Sequence, residues 1–267
     1  MNDAFILGRY IETGSWIHRM DPRAKITAMV LYCIVILVTD DPASYGLVTV
    51  FSILMLLSSK IPLSTYVKAM KPLRFLMLFI FLFHLLFIKD GTALFSLGVA
   101  EVHSGGLILA CTTVWRMGML VSFTAILTFT TTPNKLAQGL EDVMKPLGWV
   151  GLSPEKLTLM ISLALRFIPT IFEETEKILK AQASRGADIK ELPWVEKGKM
   201  LVSLLVPVTV SSFRRAEDLV HSMESRGYVL GAPKTRYHRL NWSRNDSLFL
   251  ASFLLLVFLV ISGGIWL

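Results

Sequence analysis

Residues 72–88 read PLRFLMLFIFLFHLLFI. One arginine and one histidine break an otherwise apolar run, and no face of it is polar enough to sit in water. An α-helix needs roughly 20 mostly apolar residues to cross the hydrocarbon core of a bilayer. Four more stretches approach that specification: 24–39 (AKITAMVLYCIVILVT), 44–59 (SYGLVTVFSILMLLSS), 106–131 (GLILACTTVWRMGMLVSFTAILTFTT) and 246–266 (DSLFLASFLLLVFLVISGGIW). The composition agrees with them. The 267 residues are 53% hydrophobic and only 18% charged, with mean hydropathy +0.57, whereas soluble domains carry about a quarter charged residues. The reading is an all-α integral membrane protein with about five transmembrane helices, the first two short enough to tilt or to span only in part. Residues 1–22 are polar and no small-residue cleavage site follows the first apolar run, so the opening does not read as a signal peptide.

Charge orients the helices. Lys and Arg gather on the cytoplasmic side of membrane proteins. With five spans, residues before the first, between the second and third, and between the fourth and fifth share one side, which holds 25 of the 27 basic residues. The opposite loops are acidic on balance, through Asp40, Asp41, Asp90 and Glu101 against Lys89. The expected arrangement is a multi-pass cell-membrane protein with the N-terminus and residues 132–245 cytoplasmic and the C-terminus outside. The net charge of +7 then follows from orientation. No basic stretch is interleaved with base-stacking aromatics, so nucleic acid is not an expected partner.

Function must then be sought in few polar residues. Cys33 and Cys111 lie in apolar runs without a partner at metal or redox spacing. The five histidines form no ligand cluster, and no G-x-x-x-x-G-K-[ST] phosphate loop is present. No catalytic, cofactor-binding or metal-binding residue is therefore expected. His84 and Arg116 sit within spans, where polar groups are costly. Each is either functional or makes a helix–helix hydrogen bond.

The segment 132–245 is long for a loop and reads as three helical blocks. Thr132–Pro133 opens PNKLAQGLEDVMKPLG, with Leu136, Leu140, Val143 and Leu147 at helical spacing. Ser153 as N-cap and Pro154 at the first helical position open a longer block that runs past Pro169 to Gly186. A third runs from about Glu196 past Pro207 to Gly227. The internal prolines are expected to bend these helices.

The two long blocks end alike, in QASRGAD (182–188) and MESRGYV (223–229). Aligned over 172–186 and 213–227, they agree at Phe, Glu, Ser, Arg and Gly, 41 positions apart. A Gly after a helix closes its last turn, and an Arg before it favours the negative end of the helix dipole. Each end is thus a competent cap. Two of them side by side would also present two guanidinium forks to a partner.

The sequence resembles the T component, the transmembrane coupling subunit, of energy-coupling-factor (ECF) transporters. The resemblance is carried by GRYIETGSWIHRMDPRAK (8–25), TTPNKLAQGLEDVMKPL (131–147), LALRFIPTIFEETEKILKAQASRGAD (163–188) and AEDLVHSMESRGY (216–228). It implies that Arg185 and Arg226 each dock one of two ABC-type ATPases, with Ser184, Gly186, Ser225 and Gly227 shaping the helix ends. It also implies a separate substrate-binding S component, cradled by apolar helix faces, and ATP bound only by the partner subunits. The family's first motif is usually Ala-Arg-Gly, and Ser184 stands here in place of the alanine.

The implied organisation is a membrane domain over 1–131, coupling helices over 132–245 and a last transmembrane helix over 246–267. In the opening motif, Asp21 is expected to cap a helix begun by Pro22, with Arg23 and Lys25 meeting lipid phosphates. Two other classes fit less well. A membrane-embedded enzyme would need a polar constellation within the spans. The permease of an ordinary ABC importer would use one coupling loop per chain and line its own substrate path. Within the family, a T component dedicated to cobalt or nickel is the alternative to a module serving vitamin uptake.

Overall fold

The computed structural model describes residues 10–97, 100–146, 153–185, 193–229 and 240–266. The chain divides into two compact units, one of residues 1–154 with 240–267 and one of residues 155–239. The protein is an all-α membrane protein. In the first unit a short α1 (Trp16–Arg19) leads into α2 (Pro22–Val38), α3 (Pro42–Ser58), α4 (Leu63–Met70) and α5 (Arg74–Phe87). Pro72, which cannot donate to the turn before it, lies in a 3-10 turn that joins α4 to α5. A two-stranded antiparallel hairpin, β1 (Ala93–Leu97) and β2 (Ala100–His103), precedes α6 (Ser104–Thr130). The sequence patterning gives no expectation of that hairpin. The unit closes with α7 (Pro133–Met144) and α10 (Arg244–Trp266). The second unit holds α8 (Pro154–Ser184) and α9 (Trp194–Ser225).

Among the described residues, three helical stretches are long and apolar enough to cross a bilayer: Leu63–Phe87, Ser104–Thr130 and Arg244–Gly263. The helices α2 and α3 have 17 residues each, about 25 Å at 1.5 Å per residue against a core of about 30 Å. No side chain of α5 is buried. Phe75, Phe79 and Phe87 are among the large hydrophobics it exposes, a face suited to lipid or to another membrane protein.

The core is built around α2, which packs on α10, α7 and α6. Tyr32 of α2 stacks on Phe123 of α6 at 4.2 Å between ring centroids. Phe253 of α10, fully buried, meets Tyr32, Phe51, Phe123 and Phe249 edge-on. The Tyr32 hydroxyl, which could not be left bare in an apolar core, shares a hydrogen bond with Ser52 of α3.

The start of α2 is a polar knot. Asp21 is its N-cap, accepting from the Arg23 amide at 2.9 Å, with Pro22 at the first position, as the sequence reading expects. Asp246 answers from α10. One of its oxygens accepts from the Asp21 amide at 2.9 Å, and the other from the Ser243 amide at 2.7 Å. Ser243 Oγ in turn accepts from the Asp246 amide, which closes a capping box.

Arg23 and Lys25 do not meet lipid phosphates here. Arg23 lies 3.4 Å from both Asp21 and Asp142 and donates to the Leu240 carbonyl. Lys25, 4% exposed, donates to the Thr130 carbonyl at 3.1 Å and to Thr131 Oγ1 at 3.0 Å. Its ammonium caps the carboxyl end of α6, where the helix leaves carbonyls unpaired.

The helix α7 differs from its sequence pattern too. Of the leucines and valine at helical spacing, Leu136 and Val143 are half-buried, Leu140 is exposed and Leu147 lies outside the described residues, while Ala137, Gly139 and Glu141 are buried. Close approach explains the change. A Cβ on Gly139 would fall 2.9 Å from Pro22 Cβ and 3.2 Å from the Pro22 carbonyl carbon. Gly139→Val should therefore push α7 off α2 and cost about 1–3 kcal/mol, read as a lower unfolding temperature of the detergent-solubilised protein. Gly139→Ala should cost less, and a Val variant as stable as wild type would disprove the contact.

Candidate functional site

The glycine cap expected from the sequence is seen at the end of α9. In α9 the Tyr228 amide donates to the Met223 carbonyl at 3.0 Å and the Gly227 amide to the Glu224 carbonyl at 2.9 Å. Gly227 has φ +72°. These are the two bonds and the left-handed glycine of a Schellman cap, which only a residue without a Cβ adopts at little cost. Arg226 is therefore the last residue before the chain turns away, and it is exposed. In α8 the Arg185 amide donates to the Gln182 carbonyl at 3.0 Å, and Arg185 is exposed in the same way. Gly186 lies outside the described residues.

The two serines serve their own helices. Ser184 Oγ donates to the Lys180 carbonyl and Ser225 Oγ to the Ser222 carbonyl, each at 3.0 Å. Among the described residues neither the Arg185 nor the Arg226 guanidinium has a hydrogen-bond or ion-pair partner. Each end offers a charged fork with up to five donors.

A second feature lies further back on the same helices. Glu174 of α8, half-buried, accepts from the Ser211 hydroxyl of α9 on one carboxylate oxygen and from Arg215 at 2.8 Å on the other. The Ser211 hydrogen bond, opposed by partial burial and aided by the Arg215 and Lys177 charges, holds the Glu174 carboxyl below its ordinary range. A carboxyl so lowered keeps its pairing above the usual carboxylate range and loses it as pH falls through the lowered value. Sequence reasoning misses Glu174, Ser211 and Arg215, although the signal is present. The 41-residue alignment sets Glu174 against Arg215, and only its identities attract notice there, not its opposed charges.

The polar groups within the spans divide. Arg116 of α6 donates to the Thr39 carbonyl at 2.5 Å, to Asp40 at 2.7 Å and to the Tyr45 hydroxyl at 3.2 Å. It closes the carboxyl end of α2 and holds the turn into α3, so the helix–helix reading applies. The Nδ1 atom of His84 is buried without a hydrogen-bond partner among the described residues. Among those residues no three His, Cys, Asp or Glu side chains gather as metal ligands. Cys33 and Cys111 are free thiols.

Residues 13–237 match the protein family CbiQ, described as "Cobalt transport protein". The "Energy-coupling factor transporter transmembrane protein EcfT" of Listeria innocua is 40% identical over 94% of this chain and 95% of its own length. The protein of the same name from Bacillus subtilis is 38% identical over 97% of this chain and 98% of its own, and that from Streptococcus thermophilus 37% over 95% and 96%. The family match over residues 13–237 takes in Asp21 and both Arg-tipped helix ends. The chain belongs to the EcfT family of transmembrane components of energy-coupling factor transporters.

Proposed function

We propose that this chain is the coupling subunit of an ECF-type importer, passing the ATP-driven motion of two ABC-type ATPases to a separate membrane S component that carries the cargo. The observation that carries the reading is the pair of exposed helix ends. Arg185 and Arg226 stand at equivalent positions at the ends of two long helices, exposed and unpartnered among the described residues. Ser184, Gly186, Ser225 and Gly227 shape those ends, and a carbonyl- or carboxylate-lined pocket on an ATPase receives each fork.

The chain itself is not an enzyme on this reading, since ATP and its phosphate loop belong to the partners. Residues 1–131 and 246–267 form the membrane-embedded parts and 132–245 the cytoplasmic coupling segment, with the C-terminus outside. The S component sits against exposed apolar helix faces and brings in a vitamin or similar micronutrient.

The test is purification of the tagged chain from native membranes in mild detergent. Two ATPase chains and one small membrane protein should accompany it. Recovery without ATPases, or with a soluble substrate-binding protein feeding the chain directly, overturns the reading. Several alternative S proteins would mark a shared module, and one metal-carrying S protein a dedicated cobalt or nickel transporter.

A further inference from the structure

The ion pair between the two long helices joins positions that correspond. Shifting residue 174 by the 41-residue offset that superposes the two Ser-Arg-Gly ends gives residue 215. Glu174 therefore faces Arg215 at 2.8 Å from its own equivalent site on the other helix. Arg185 lies eleven positions after Glu174, and Arg226 eleven positions after Arg215. Each arm is about 16 Å of helix.

The buried apolar side chains of α9, Met200 and Leu204, lie away from the pair, seven positions or more before Ser211. The buried hydrophobic cluster draws no member from α8 or α9 among the described residues. Phe213, beside the pair on α9, is exposed. At this point the helices meet through a charge-assisted polar contact, which tolerates rotation better than interdigitated side chains do.

We propose that Glu174, held by Ser211 and Arg215, is the pivot on which the two Arg-tipped helices turn, equal arms making the two tips move by equal amounts. The inference rests on the coupling function proposed above and assigns positioning residues to it. A tilt of about 10° about this point moves a tip at that radius by roughly 3 Å. Glu174→Gln keeps shape but weakens the contact, and Arg215→Gln does so from the other side. Exchange of the pair, Glu174→Arg with Arg215→Glu, restores the charge complement, and the Ser211 hydroxyl can accept as readily as donate.

The test uses the full complex with its ATPases. Cys33 and Cys111 are replaced by alanine, and spin labels are placed at Lys180→Cys and His221→Cys, equivalent exposed positions one turn or so short of the tips. Label separation is measured without nucleotide and with Mg-ATP and vanadate. Wild type should show two distinct separations; the labels lie about 9 Å from the pivot, so opposite tilts of about 10° in both helices change their separation by roughly 3 Å.

In Glu174→Gln and in Arg215→Gln both ATPases should still co-purify and hydrolyse ATP. The nucleotide-dependent change should fall severalfold, within the range of coupling between sites, and the exchanged pair should recover it. An unchanged response in the single variants, or no recovery in the exchange, overturns the pivot. So does loss of the ATPases from the single variants, which would make the pair a mere support of the docking ends. A wild-type chain that holds no ATPase would instead sink the coupling function, and the pivot with it.

Discussion

The double variant Arg185→Glu, Arg226→Glu should fail to retain either ATPase through purification, and cargo uptake through the co-purifying S component should fall to background. Both arginines are exposed, and both lack partners among the described residues. Their replacement therefore removes little from the fold. A carboxylate at a helix carboxyl end opposes the dipole by about 0.3–1 kcal/mol, and the Gly227 cap that closes α9 stays in place. Unfolding temperature and membrane insertion should thus stay near wild type. The interface loses two forked, charge-assisted contacts and gains like charges where acceptors wait. Truncating one partner of such a pair costs about 2–5 kcal/mol, enough at each end to lower affinity at least about thirtyfold. Arg→Lys at both ends keeps charge without the fork and should bind with intermediate strength. A double Glu variant that keeps its ATPases and transports normally would end the docking assignment.

How far the sequence shows this molecule depends on how far apart the interacting residues are. Helix starts and stops are local, so Asp21–Pro22, Thr132–Pro133, Pro154 and Gly227 announce the boundaries of α2, α7, α8 and α9 correctly. Three of the five apolar runs likewise coincide with helices long enough to span among the described residues. Partners drawn from distant segments are hidden. Asp246 bonds Asp21 across 225 positions and Lys25 reaches Thr131 across 106, so composition gives a basic residue near the interface and no sign that it is buried. The face of α7 misleads for a related reason: hydrophobic spacing assumes a core that wants bulk, and α2 comes close enough at Pro22 to admit only Gly139. The candidate site is intermediate. Its Arg tips stand out as a repeat, but its Glu174–Arg215 pair becomes meaningful only once the two helices are seen to meet there.

Lys25→Met should be the most damaging single substitution in the membrane unit, and it separates the buried cap from a lipid-facing role. The ammonium donates to the Thr130 carbonyl and to Thr131 Oγ1, and Asp246 and Asp21 lie close enough to feel its charge. Methionine fills similar space but leaves the end of α6 without a donor and two buried carboxylates with less compensation. Losing a hydrogen-bonded charge of this kind costs about 3 kcal/mol or more, roughly 10 °C in unfolding temperature for a unit of this size. Thr131→Val removes one acceptor and leaves the carbonyl contact, so it should cost about 1 kcal/mol. The two losses should also be less than additive, because both break the same contact. A lysine serving lipid headgroups would behave otherwise. Its replacement would matter only in anionic bilayers, Thr131→Val would be silent, and Lys25→Met in neutral detergent would melt with the wild type. Thermal unfolding of the three variants in neutral detergent decides between the two, because only the cap at Thr130 predicts a loss where no phosphate is present.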